Sequence, residues 1–220
     1  MTSQSPTEID VIVPVIAIDG TAASGKGTMA RRLAAYLDYA YLDTGLLYRR
    51  VALTLLAQNI PADNIEAAVH AARTLDARKL DDPALRGAAA GRDASVVAAI
   101  PEVRMALHDF QRAFPAKSGK KGAILDGRDI GTVIFPEARI KFYVDADITV
   151  RAERRYQELI AQGLDITYEK VLEDMKIRDA RDSNRAFRPM LAADDAIAID
   201  TTNLGPDEVF KKALTHIQTR

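Results

Sequence analysis

The sequence predicts an α/β fold: one domain of three layers, a five-stranded parallel sheet with helices on both faces. Three observations predict it. Five short apolar runs each end at an aspartate: Asp19, Asp43, Asp126, Asp145 and Asp200. Segments of helical spacing lie between them. A glycine-rich loop joins the first run to the first helix. Sheets of this kind bind ligands at the carboxyl ends of their strands.

The elements follow in order. Val11 to Ile18 is short, β-branched and apolar, which predicts a buried strand with Pro14 near its start. Gly20 to Gly27 is the loop, and Lys26 to Leu37 reads as a helix, with Met29, Leu33 and Leu37 at spacing four. Tyr39 to Leu42 is the second strand and Leu46 to Gln58 the next helix. Asp63 to Leu75 is helical. Asp76 to Asp93, with Pro83, Gly87 and Gly91, is expected to be a loop-rich connection. Ala94 to Phe114 is a helix that Pro101 breaks or starts. Lys117 to Gly122 is a basic surface loop. Three further strands, Ala123 to Leu125, Ile140 to Val144 and Ala196 to Ile199, complete the sheet. Helices are expected at Ile148 to Gln162, Tyr168 to Asp182 and Pro206 to Gln218.

The 220 residues are enough to bury a sizeable core. The net charge of −1 supplies no global field for nucleic acid or a membrane surface. There is no cysteine, which excludes disulfides, thiol nucleophiles and cysteine-ligated metals and fits a cytoplasmic protein. Residues 1–10 lack a basic n-region, so they are expected to be a flexible tail, not a signal peptide. No heptad seam is present, and a monomer is expected. His70, His108 and His216 lie in no motif and read as surface or packing residues.

Gly20, Thr21, Ala22, Ala23, Ser24, Gly25 and Lys26 match the start of the phosphate-loop pattern G-x-x-x-x-G-K, between a strand and a helix. Its backbone N–H groups and the helix N-terminus cradle phosphates, and Lys26 reaches the β and γ oxygens. The pattern continues with a hydroxyl residue, but here Gly27 intervenes and the hydroxyl is Thr28. This loop specifies nucleotide binding and leaves the reaction open. A kinase acting on a hydroxyl such as that of shikimate, with Asp43 as base, fits it. So do a GTP-binding switch, although its Asn-Lys-x-Asp motif is absent, and a non-enzymatic nucleotide-binding subunit.

The arginines narrow the choice. A phosphate acceptor is mostly dianionic at neutral pH and needs no general base, so its site should be rich in arginine. Arg178, Arg181 and Arg185 recur at helical spacing with Asp182 beside them. Arg151, Arg154 and Arg155 lie on the preceding helix. Arg49 and Arg128 follow strand ends.

GTAASGKGT, YLDTGLLYR, DGRDIGT and RDARDSNR, in that order, resemble the bacterial cytidylate kinases over nearly the whole chain. The resemblance implies a P-loop kinase core with a short monophosphate-binding segment at about 63–114 and a mobile helical lid at about 151–185. It implies transfer of the ATP γ-phosphoryl to CMP or dCMP, with Mg²⁺ and no nucleic-acid or membrane partner. ATP is then held by the loop from Gly20 to Thr28, with Arg154. The CMP phosphate matches Thr44, Arg49, Arg128 and Arg185, the ribose Arg178 and Asp182, and the cytosine Ser95, Arg104 and Asp129. Asp129 suits that role, since a carboxylate accepts from the cytosine N4 amine and faces the uracil O4 unpaired. Lys26, Arg128, Arg181 and Arg185 are expected around the transferring group. Thr28 and, through water, Asp126 are expected to support the metal. Thr44 stands where serine is often found. The stretch between about Leu75 and Ser95 is shorter than in many members.

Overall fold

Val15–Gly20 forms the central strand, β1. Its side chains alternate: Ile16 and Ile18 enter the apolar cluster on one face, and Ala17 enters the cluster on the other. The structure is a computed structural model and describes residues 13–219. The expected tail, 1–10, and the first residues of the expected first strand, Val11 and Ile12, lie outside the described residues. Pro14 immediately precedes β1, as expected of a residue that cannot donate to a central ladder.

The other strands are β2 (Ala40–Asp43), β3 (Ala123–Gly127), β4 (Ile140–Asp145) and β5 (Ile197–Asp200). They pair in parallel in the order β2-β3-β1-β4-β5. The register sets Asp43 beside Asp126, Asp19 beside Gly127, and Asp145 beside Asp200. The aspartates that punctuate the sequence therefore line one edge of the sheet.

On one face α1 (Lys26–Leu37) and α8 (Pro206–Gln218) cover Ile18, Ile124, Phe142 and Ile199. On the other face Ala17, Leu125, Ile130 and Ile134 pack together with Phe110 and Phe114 of α5 (Pro101–Lys117). Pro101 starts this helix, where its missing N–H is harmless. The turn Ile130–Ile134, a single π-helical turn after β3, was not anticipated in the sequence.

A second core forms away from the sheet. Here α2 (Gly45–Ala57), α3 (Ile65–Arg73), α4 (Ala88–Val97) and α5 bury Leu47, Val51, Leu55, Ala94, Val97, Val103 and Leu107. The segment 63–114 makes most of this body. Asn64 starts α3 by accepting from the Ala67 N–H at 3.0 Å. The expected loop from Asp76 to Asp93 is corrected here: two short 3₁₀ turns, Ala77–Lys79 and Pro83–Arg86, lead into α4. Helix α4 forms because Ala94 and Val97 pack against α2, and burial overrides the weak local propensity of a Gly- and Asp-containing stretch.

The segment 151–185 belongs to a hairpin of α6 (Ile148–Ala161) and α7 (Tyr168–Ser183), sealed by Leu159, Val171 and Met175 and by Ala22 of the loop. Asp147 and Thr167 cap these helices through Thr149 N–H and Lys170 N–H. Among the described residues no helix is long and apolar enough to cross a membrane.

Candidate functional site

The loop after β1 takes its shape from two backbone demands. A Cβ at Gly20 would stand 1.9 Å from the Val144 carbonyl oxygen, so only glycine lets β1 and β4 end this close together. Gly25, at φ 87°, sits in the left-handed region and opens α1. Side-chain bonds brace the loop through the Thr21 hydroxyl and through its backbone carbonyls, not through its N–H groups. Thr21 donates to Asp145 at 2.6 Å, Ser24 donates to the Thr21 carbonyl at 3.0 Å, and Thr201 donates to the Ser24 carbonyl at 2.8 Å.

Lys26 Nζ lies 3.8 Å from Asp126 Oδ1 at the end of β3. Burial, then the charge of Arg128, pulls the Lys26 ammonium down to about 8. Burial and then the neighbouring Asp43 push the Asp126 carboxyl up to about 6. Tyr41 donates to its other oxygen at 2.5 Å. Tyr41 was missed in the sequence; its alternation with Asp43 on one strand face was the available signal.

In front of this pair lies a cavity of about 370 Å³ between the loop, the strand ends, α4 and α7. Thr44, Arg49, Ser95, Arg104, Arg128, Asp129, Arg178, Asp182 and Arg185 all line it, with Lys26, Ala22, Ala23 and Asp126. Among the described residues nine cationic and five acidic side chains face this space. The excess registers in the titration of the arginines. Arg178 falls to about 10 through burial and then the charge of Arg128. Arg49 is lowered by burial and then Arg155, and Arg185 by burial and then Arg104. Crowded buried cations of this kind favour multivalent anions.

Several residues of the cavity are held from behind. Thr44 donates to the Asp126 carbonyl at 2.8 Å, and Arg49 to the Leu85 carbonyl at 2.8 Å. Arg128 donates through Nε to Asp182 at 3.1 Å. Burial pushes the Asp182 carboxyl up, but Arg128, Arg178 and Arg185 outweigh it and hold it below the usual range. Arg104 is 2% exposed, pairs with Asp129 at 2.5 Å and lies over the Tyr48 ring. Nε of Arg104, Nε of Arg178 and Nη2 of Arg185 are buried donors with no hydrogen-bond partner in the protein, and a ligand oxygen can satisfy each.

A family model described as "Cytidylate kinase" matches residues 16–219. A cytidylate kinase from Xanthobacter autotrophicus is 56% identical over 94% of this chain and 98% of the relative. One from Azorhizobium caulinodans is 53% identical over 93% of this chain and 98% of the relative. The chain belongs to the cytidylate kinase family. The fold extends further: a solved structure of an uncharacterized protein from Eubacterium ventriosum, 16% identical, aligns with a TM-score of 0.55 over 94% of this chain and 99% of that one.

As a cytidylate kinase family member the chain brings all of its sequence-predicted acceptor residues into one cavity, with Ala22, Ala23 and Lys26 of the loop; the remaining loop residues and Arg181, Arg154 and Thr28 do not line it. Arg181 does not line the main cavity; it donates to Ser95 and faces an adjoining cleft of about 270 Å³ between α4, α6 and α7. The face that α7 offers to the cavity is Met175, Arg178 and Asp182, and Arg185 follows beyond the helix end, where it donates to the carbonyls of Asp182 and Ala98. Arg154 lies behind the loop and donates to Thr201 at 3.0 Å and 2.7 Å. Thr28 is exposed on the first turn of α1, where it accepts from Arg31 at 3.4 Å, and does not line the cavity.

Other lining residues were missed by sequence reasoning. Arg31 and Arg86 sit on a helix and a turn where a lone arginine reads as a surface residue, and only packing turns them inward, whereas Arg155, singled out in the sequence, does line the cavity. For a metal, Asp126 and Asp43 offer adjacent hard oxygens, and among the described residues no group of three or more side-chain ligands forms. That donor set fits Mg²⁺, which keeps its waters and binds through one or two carboxylates and substrate phosphates.

Proposed function

We propose that this chain transfers the γ-phosphoryl of ATP to CMP or dCMP, giving ADP and CDP or dCDP. The observation that carries the site assignment is the single cavity in which the phosphate loop meets a buried excess of arginines beside the Arg104–Asp129 pair.

ATP lies with its phosphates on the Gly20 to Thr28 backbone, Lys26 reaches the β and γ oxygens, and Arg154 supports the nucleotide from the Thr201 side. The CMP phosphate is held by Arg49, Arg128 and Arg185, with Thr44 beside it. Arg178 and Asp182 take the ribose. Asp129 accepts from the cytosine N4 amine, while Arg104 and Ser95 donate to N3 and O2. Uracil inverts the donor at N4 and the acceptor at N3, so it meets like against like.

A CMP phosphate oxygen attacks the γ-phosphorus in line, and the bridging oxygen leaves with ADP. No side chain removes a proton, because the acceptor phosphate is already dianionic. The barrier falls through alignment and through charge already in place from Lys26, Arg128 and Arg185, joined by Arg181 as the 151–185 segment closes. Mg²⁺ would be held by Asp126 through water, with the Thr28 hydroxyl as the further expected support, and would supply charge neutralisation to the phosphates. Action as a monomer in the cytoplasm is part of this reading: the lack of cysteine fits that compartment, and the net charge of −1 supplies no field for nucleic acid or a membrane surface.

The test is turnover of ATP with Mg²⁺ against CMP, dCMP, UMP, AMP and GMP separately. CMP and dCMP are expected to be the good acceptors. Preference for UMP or a purine keeps the kinase and discards the roles of Ser95, Arg104 and Asp129. Absence of turnover with all five returns a hydroxyl acceptor.

A further inference from the structure

Asp19 ends the central strand one residue before the phosphate loop, and its carboxylate does not face that loop. Alternation along β1 puts it on the same face as Ala17, over the turn that follows β3. It is 4% exposed. One oxygen accepts from the Ile130 N–H at 2.8 Å and the other from the Gly131 N–H at 2.7 Å. A buried carboxylate is costly unless it is bonded, and both of these oxygens are spent on two consecutive backbone groups.

Those groups open the turn directly after Arg128 and Asp129. Asp129 is left at φ −147° and ψ 26°, and its carboxylate meets Arg104 at 2.5 Å. Its neighbour Arg128 reaches Asp182 at 3.1 Å. Gly127, which precedes both, is the register partner of Asp19 itself. One carboxylate therefore bolts the strand that ends in the phosphate loop to the segment that carries the acceptor-binding side chains.

We propose that Asp19 is a positioning residue for the acceptor nucleotide: by holding the Ile130 and Gly131 N–H groups it sets where Arg128 and Asp129 stand relative to the phosphate loop, and with that the preference for CMP. This rests on the cytosine-reading role of Asp129 proposed above. The position of the phosphoryl donor depends on the loop backbone, whereas the hydrogen bonds of the Asp19 carboxylate go to Ile130 and Gly131. Acceptor and donor effects should separate.

The test is Asp19→Asn, which keeps the size but offers one acceptor where two are used and turns an amide N–H against the other donor. Loss of one bond to a buried partner predicts a KM for CMP up by about tenfold or more and a CMP-over-UMP preference down by a similar factor. The KM for ATP and direct ATP binding should stay level. Gly131→Ala is the second variant. Its Cβ would lie 3.4 Å from the Asp19 carboxylate and 3.1 Å from Cδ of Lys141, whose buried ammonium is held by Asp195 and the Pro136 carbonyl, so these neighbours must shift by a few tenths of an ångström and the pull falls on Asp19. It should show the same split at smaller size, and it decides the matter if Asp19→Asn does not fold. Equal changes for ATP and CMP, or an unchanged CMP-over-UMP ratio in a folded variant, overturn the proposal. Wild-type protein that fails to prefer CMP would instead overturn the reading of the base site, and is seen before any variant is made.

Discussion

At the scale of single residues, Lys26 and Asp126 show what the strand-end geometry does. Both are buried charges 3.8 Å apart, and each is driven toward its neutral form, the lysine to about 8 and the carboxyl to about 6. A site poised like this gains more from a phosphate anion than a hydrated one does, because its cations have already lost their water. Lys26→Ala should lower kcat by about a hundredfold to a thousandfold, the usual loss for one preorganised group aimed at developing charge. Single-turnover rates at saturating ATP and CMP check this, and a rate near wild type removes Lys26 from the reaction. The phosphate loop was legible because glycine spacing is a backbone property, visible without any neighbour. Ser95 and Arg104 were reachable only through family resemblance, since a serine and an arginine on helices carry no local signal.

At the scale of elements, most strands and helices stand within a residue or two of where periodicity put them, with β1 and α5 shifted further. The failures share one cause. Helix α4 and the turn Ile130–Ile134 depend on what they pack against, α2 for the one and the sheet face for the other. Local propensity is too weak to reveal either. The junction of β1 and β4 is the opposite case, where one glycine decides the element. Gly20→Ala forces a Cβ into the Val144 carbonyl, and parting the strands should cost about 3 kcal/mol or more. Urea unfolding measures it, and a loss below about 1 kcal/mol, the ordinary range for a surface change, shows that the strand ends yield.

At the scale of the whole molecule, the cavity lies between a sheet core and a separate helical core, with the α6–α7 hairpin beside it. Arg151 ties that hairpin to the loop: it donates to the Ala146 carbonyl at 2.8 Å, approaches the Ala22 carbonyl at 3.4 Å and pairs with Asp179 of α7 at 2.7 Å. Burying charge where the bodies meet makes stability depend on pH. Asp126 titrates near 6 in the folded protein against an unfolded value of 3.8, so the folded state holds its proton longer. Its contribution to stability is complete below the unfolded value and is lost as pH rises through about 6. Asp126→Asn removes that slope. Between about pH 5 and about pH 7.5 the variant should gain roughly 1 kcal/mol on the wild type. Unfolding curves at the two pH values check it, and a constant difference means that Asp126 does not hold its proton.

The sequence by itself determined the α/β class, the parallel sheet, the phosphate loop and the family, because apolar periodicity and glycine spacing are written along the chain. Tertiary structure alone decided which arginines enter the cavity, that Arg181 turns to Ser95, and that Asp19 serves a turn more than a hundred residues away. Those outcomes depend on the direction a side chain takes once its element is packed. A one-dimensional pattern records how often a face recurs, and it does not record what that face meets.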